Sequence, residues 1–420
     1  MTIKLLRRIS FRGSGALTAV VLSVLSLNAQ AEASAEGASS AESFQQFKNR
    51  QSKAYEGYAD EVDSEFEEYR ENLLAAFEDY KEKAARVWGD DEAVMPDQHR
   101  WVEYQDAMRN RRIVDFEDGV GEVAVAVDSE EIDWKKIKEQ LSDSIVETIT
   151  ESPDSRSIID IAKKPDQKKR EGGPLLKGQV ENAEGEKVTE ENASQFAENQ
   201  VRRSKLEKEE VSGKDGEKRV AVKASFDLVP DHLKGRAKRY KDLVERRASE
   251  RDIKPSLVFA LIETESSFNP KARSPVPAFG LMQLVPQTGA LDAYRFIYDK
   301  DKIVTDTYLY DPKNNVKLGV AYMDKVQRVY FAAVDDPMSR QWCSVAAYNT
   351  GIGNVLRTFA GKYSSSDFDS RSAWREHALK EINGRDSGEV YSYLKANLPY
   401  EETRNYIVKV RKRMPRYRGF

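Results

Sequence analysis

The chain has 420 residues, 67 of them Lys or Arg and 71 Asp or Glu, for a formal net charge of −4. With 40% hydrophobic residues it is long enough for two or three domains and a large core. A single cysteine, Cys343, excludes structural disulfides and cysteine-based zinc or iron–sulfur sites, and His99, His232 and His377 have no metal-ligand spacing.

Residues 1–31 read as an export signal. Lys4, Arg7, Arg8 and Arg12 supply the positive end, and "ALTAVVLSVLSL" (Ala16 to Leu27) is an apolar core too short to span a bilayer. "AQA" at Ala29 to Ala31 fits the small-residue cleavage rule, so the mature chain is expected to begin at Glu32. No cysteine follows the apolar core, which rules out lipid attachment there.

Residues 32–87 are expected to be an amphipathic helical segment. Phe44, Phe47, Tyr55, Tyr58, Val62, Phe66, Tyr69, Leu73, Phe77, Tyr80 and Val87 recur mostly every three or four residues, with charged residues between them. Such a stripe must bury itself on the next domain, on another copy or on a partner. Residues 88–229 read as a separate small α/β module. "GEVAVAVD" (Gly121 to Asp128) and "RVAVKASFDLV" (Arg219 to Val229) alternate as half-buried strands do. "WKKIKEQLSDSIVETIT" is a helix candidate between them, and Lys163 to Lys187 a long charged loop.

From 230 to 420 the pattern is helical. "HLKGRAKRYKDLVERRASERD" is amphipathic, and "PSLVFALIETESSF" follows with Pro255 at a helix start. "WCSVAAYNTGIGNVLRTFA" is interrupted between Thr350 and Gly353, and "EETRNYIVKVRKRM" closes the chain. The expected fold class is therefore α+β, with an all-α domain last. Residues 231–420 hold 33 basic and 23 acidic residues, a net of +10, which leaves −14 for residues 1–230. A basic second half suits an anionic polymer, although export argues against nucleic acid, and a solvated basic face is the plainer alternative.

"ALIETESSFNP" (Ala260 to Pro270) carries two glutamates at the end of an apolar helix. Glu263 and Glu265 lie about 200° apart around it, so they cannot form a close carboxylate pair, and at most one is expected to face the core. Leu261, Ile262, Glu265 and Phe268 share helical spacing, which groups Glu265 with the apolar face. A carboxyl group there has a raised pKa and can donate a proton. The alternative is a helix-end glutamate paired with an arginine such as Arg273. Further along, "GLMQL" (Gly280 to Leu284) joins a tight turn to an amide suited to sugar hydroxyls or an acetamido group. "AAYNTGIGNV" sets Tyr348 and Asn349 before a glycine-rich turn, and "LPYEETRNYIVKV" offers Glu402 and Tyr406.

The ordered set E-S-x-F-N-P, G-L-M-Q, A-Y-N-x-G-x-G and E-T-R-x-Y resembles the lytic transglycosylase domain of bacterial murein hydrolases. "VWGDDEAVMPDQHRWVEYQDAMRNRRIVDFEDG" and "SFDLVPDHLKGRAKRY" are similar to the amino-terminal part of the membrane-bound lytic murein transglycosylase C type. The resemblance implies a lysozyme-like catalytic domain, peptidoglycan glycan strands as substrate, a periplasmic location and no metal or organic cofactor. It implies Glu265 as a lone acid then base, with Tyr348 hydrogen-bonded to it and Ser274 in support. Ser266, Met282, Gln283, Asn349, Glu402 and Tyr406 are implied to meet the sugar. A cell-wall protein is a candidate partner for the amino-terminal helix, and weak peripheral association with a membrane is compatible with it. The implied reaction ends in a 1,6-anhydromuramic terminus; a lysozyme-like hydrolase and a non-catalytic wall-binding protein are the alternatives.

Overall fold

A computed structural model describes residues 68–420, apart from 130–131, 165–166, 168, 172, 204–205 and 275–276. The expected signal and the first half of the aromatic stripe lie outside the described residues.

The described chain begins with a helix over residues 68–92 (α1). Its apolar side chains Leu73, Tyr80, Val87 and Trp88 are buried. They cover one face of a five-stranded antiparallel sheet made of β1 (Arg100–Gln105), β2 (Asn110–Asp115), β3 (Val120–Asp128), β4 (Glu207–Ser212) and β5 (Lys218–Asp227). The spatial order is β1-β2-β3-β5-β4. Between β3 and β4 run α2 (Trp134–Thr150), α3 (Ile158–Lys163) and α4 (Ala193–Arg203). In β3, Val123 and Val125 pack with Ile137, Leu141 and Ile145 of α2, while Ala124 and Ala126 point to the α1 side. The strand was expected to be half-buried; helices cover both of its faces, so Val123 to Ala126 are all buried. Strands β1, β2 and β4 went unanticipated. In β4, "EKEEVS" buries Val211 alone and sits at the sheet edge, where one paired side and few apolar groups suffice.

After β5 the described chain is helical: α5 (His232–Arg239), α6 (Lys241–Ser249), α7 (Pro255–Ser266), α8 (Leu291–Tyr298), α9 (Asp306–Leu309) and α10 (Pro312–Lys325). Then come α11 (Pro337–Thr350), α12 (Ile352–Ala360), α13 (Arg371–Asn383), α14 (Ser387–Asn397) and α15 (Glu401–Arg413). The stretch read as one amphipathic helix breaks at Tyr240 into α5 and α6, and the break near Gly351 separates α11 from α12.

Helix α7 is the centre of this part. Every residue from Leu257 to Ser266 is buried, with Val244 and Ala248 of α6, Val345 and Ala346 of α11, and Ile407 and Val410 of α15 in the same core. The helix starts with Pro255, whose missing N–H costs nothing in a first turn. It ends because Ser267 and Phe268 both adopt the left-handed conformation, with φ of 47° and 61°. The core beneath α1 continues into Phe279, Leu284, Ala293 and Leu309, so the amphipathic stripe, where it is described, is covered by this chain's own sheet and helices.

Candidate active site

Both glutamates of α7 are buried, Glu263 to 1% exposure and Glu265 to 7%. The expectation that at most one would face the core is therefore corrected. A helix surrounded on all sides has no solvent face, and the chain's end closes the side that carries Glu263. Glu263 binds Arg413 Nε at 3.0 Å and Arg416 Nη1 at 2.5 Å, and accepts from the Tyr417 hydroxyl at 2.6 Å. The basic tail is thus partly spent on neutralising a core carboxylate, and the arginine-paired glutamate is Glu263. Arg273 is elsewhere, stacked 3.9 Å over the Phe77 ring.

Glu265 has no ion pair among the described residues. Its Oε1 accepts the hydroxyl of Tyr406, on α15, at 2.6 Å. Burial pushes its pKa up to about 8; the Tyr406 hydrogen bond opposes that shift and the charge of Glu402 adds to it. A carboxyl group in this setting holds its proton near neutral pH and can give it to a bound group. Burial and the neighbouring Glu265 carboxylate hold both Tyr348 and Tyr406 in the neutral phenol form, with pKa values well above the usual tyrosine value.

The turn facing α7 is held from several sides. Gly280 has φ +75°, and a Cβ there would meet the Leu309 carbonyl at 2.3 Å. Asn315, fully buried in α10, donates to the carbonyls of Phe279 (2.8 Å) and Leu309 (2.9 Å) and accepts from Met282 N (2.8 Å). Sequence reasoning missed Asn315; its signal was an amide one turn inside a helix opened by Asp311 and Pro312. Ser266 Oγ donates to the carbonyls of Ile262 and Leu281, at 3.0 and 2.8 Å, and is fully buried. It braces the turn and does not line an open surface as expected. Met282 is likewise fully buried, its side chain against Gly319. Its carbonyl accepts from the Tyr348 hydroxyl at 2.8 Å. The bond expected between Tyr348 and Glu265 is thus made by Tyr406, and Tyr348 fixes the turn.

Gln283 follows Met282 in the same turn. It is a non-glycine at φ 44°, a strained conformation. Its Nε2 donates to the Gly280 carbonyl at 3.0 Å, while Oε1 is buried with no hydrogen-bond partner. Asn349 accepts from Thr403 Oγ1 at 2.7 Å, and its Nδ2 lies 3.5 Å from Oε1 of exposed Glu402. Ser274 accepts from Ala278 N at 3.3 Å and closes the loop before the turn.

A second missed feature holds the end of α7. Arg236, 1% exposed, donates from Nε to the Ser267 carbonyl (3.1 Å), from Nη2 to the Phe268 carbonyl (2.6 Å) and from Nη1 to Gln179 (3.3 Å). Its guanidinium lies 3.6 Å over the Phe116 ring, and His99 Nδ1 is 2.9 Å from Ser267 Oγ. Phe116, Gln179 and His99 come from the sheet region, so that region grips the two left-handed residues that follow the catalytic candidate.

The family model described as "Transglycosylase SLT domain" matches residues 242–370. "Membrane-bound lytic murein transglycosylase C, N-terminal domain" matches residues 66–239. The membrane-bound lytic murein transglycosylase C of Klebsiella pneumoniae subsp. pneumoniae is 32% identical over 333 residues, 79% of this chain and 85% of the relative. That of Serratia proteamaculans is 33% identical over 333 residues, 79% of this chain and 86% of the relative. Among solved structures, the 70 kDa soluble lytic transglycosylase of Escherichia coli is 27% identical with a TM-score of 0.32. That similarity covers 43% of this chain and 24% of the soluble enzyme.

Proposed function

This chain belongs to the membrane-bound lytic murein transglycosylase C family and is a peptidoglycan lytic transglycosylase; from that premise we propose which of its residues do the chemistry. Glu265 is the single acid and base. The observation that carries this is its setting: buried, without a cation, and held by one phenol at 2.6 Å. The helical part, proposed to begin at about residue 230, is a lysozyme-like catalytic domain, and residues 88–229 are its accessory module.

The β-1,4 bond between MurNAc and GlcNAc breaks as Glu265 gives its proton to the bridging oxygen, which leaves with the GlcNAc unit. The muramic C6 hydroxyl then bonds to its own C1 and returns a proton to Glu265. The sugar ends as a 1,6-anhydro ring, and no water is consumed. Tyr406 keeps the carboxyl oriented and steadies its ionised form between the two proton transfers. Tyr348, Ser266 and Met282 act through the turn they lock, and Ser274 through the loop leading into it. Gln283, whose buried oxygen lacks a donor, takes one from a sugar hydroxyl or acetamido N–H. Asn349 and Glu402 border the same site.

This chemistry calls for no metal or cofactor. We place the protein in the periplasm, exported with cleavage after Ala31. No helix of the described residues is long and apolar enough to cross a membrane.

Digestion of purified sacculi in oxygen-18 water tests the reaction. Anhydro ends without label are expected. Label at C1 of muramic acid in most products would sink this reading and move Glu402 into the role of a base for water.

A further inference from the structure

A concave site lies away from Glu265, between the sheet region and the bend after α7. It is a cavity of about 80 Å³, and Tyr80, Trp101, Asp154, Lys271, Arg273 and Tyr310 are among its lining residues. Arg273 is 3% exposed, yet its Nε and Nη1 have no hydrogen-bond partner. A buried guanidinium with open donors is costly unless something completes it. The Lys271 ammonium also makes no ion pair or hydrogen bond among the described residues; it sits 4.8 Å over the Tyr310 ring.

The acids nearby are already committed. Asp154 is paired with Arg156 at 2.6 Å. Glu103 is paired with Arg112 at 2.5 Å and Arg170 at 2.8 Å. Asp306 accepts from Ser157 Oγ at 2.8 Å and Thr307 N at 2.7 Å. The cavity therefore offers the open Nε and Nη1 donors of Arg273 and the unbonded Lys271 ammonium beside aromatic walls; buried Asp306 supplies part of their counter-charge but no hydrogen bond, and this donor set suits a carboxylate on a short aliphatic stem.

We propose that this cavity is a carboxylate-binding site, with Arg273 and Lys271 as the anion-holding residues and the free carboxylate of a murein stem peptide as its occupant. The choice of occupant rests on the reading of murein as substrate. The site is mechanically close to the active centre. Arg273 forms a β-bridge with Phe279, and the Ala272 carbonyl accepts from Gly280 N at 2.9 Å. A carboxylate here braces the backbone that leads into the Gly280–Leu284 turn. A stem held in this cavity would also set the register of the strand it hangs from.

The test is calorimetric titration of the full mature chain with acetyl-D-alanyl-D-alanine, its C-terminal amide, and acetate. The acid is expected to bind at least tenfold tighter than both the amide and acetate, and Arg273→Gln and Lys271→Gln are each expected to weaken it tenfold or more. Acetate binding as well as the peptide supports a carboxylate site for a free small anion and overturns the stem as its source. Equal binding of acid and amide, or binding untouched by both substitutions, overturns the site. Lys271 is partly exposed, so Lys271→Gln carries the test if Arg273→Gln does not fold. Release of anhydro ends from intact sacculi by the unaltered chain, measured in parallel, tests the catalytic reading separately from where the carboxylate binds.

Discussion

The hydroxyl of Tyr406 lies 2.6 Å from Oε1 of Glu265, across 141 residues of chain. The bond lowers the Glu265 pKa while burial raises it, and burial wins, at about 8. The balance leaves a carboxyl that holds its proton near neutral pH, which is what the role proposed for it requires.

That balance has a stability consequence. Glu265 ionises near pH 8 in the folded protein and near 4.5 in an unfolded one. Between these values the folded state holds the extra proton, so stability falls as pH rises through this window. Glu265→Gln removes the effect. The variant is expected to lose activity by ~10²–10⁴-fold or more, yet to melt higher than the parent at pH 8. The gain should shrink towards pH 5. Melting curves at the two pH values check this, and a gain equal at both would refute the raised pKa.

Tyr406→Phe deletes the bond that favours the ionised carboxylate. The alkaline limb of the rate profile is expected to move up in pH, with kcat reduced by about tenfold, on the order of one lost hydrogen bond to a charged group. Tyr348→Phe frees the Met282 carbonyl and loosens the turn. It should raise KM more than it moves that limb. Steady-state pH profiles of both variants separate the roles, and identical profiles would show that the two phenols are interchangeable.

Glu263→Gln should behave in the opposite way to Glu265→Gln. It takes the charged partner at 3.0 Å from Arg413, itself largely buried, which among the described residues keeps only the Glu117 carboxylate at 3.1 Å. Breaking a buried pair on one side costs about 3–5 kcal/mol. Activity per folded molecule should hold within a few-fold. Urea unfolding alongside turnover measured well below the midpoint checks this. Loss of activity without loss of stability would mean the two glutamates have been assigned the wrong way round.

Arg236→Lys keeps a charge but cannot span the Ser267 and Phe268 carbonyls with a planar fork. A loss of about 2–4 kcal/mol is expected, in the range for groups left buried and unpaired. Because these carbonyls lie two and three residues after Glu265, kcat should fall more than KM rises at temperatures where the variant stays folded. A variant with unchanged kcat would confine Arg236 to stability.

By itself, the sequence was sufficient for the polarity of the fold and for the proposal of Glu265 as the acid. Alternation located β3 and β5, helical spacing located α2 and α7, and Pro255 set the start of α7, because local periodicity and backbone restriction act over a few residues. Ordered motifs placed Glu265, Gln283, Asn349 and Tyr406 in one catalytic part of the chain. Edge strand β4 was not legible, since an edge strand needs little apolar signal. Tertiary structure decided which phenol meets Glu265, that Ser266 and Met282 turn inward, and that Glu263 is as buried as Glu265. The latter depends on Arg413, Arg416 and Tyr417, some 150 residues away, folding over α7. It decided, too, that Arg236 and His99 secure the end of the catalytic helix. Helical spacing assigns a face to each residue, but what covers that face is set by distant segments, and burial, pairing and pKa follow from the cover.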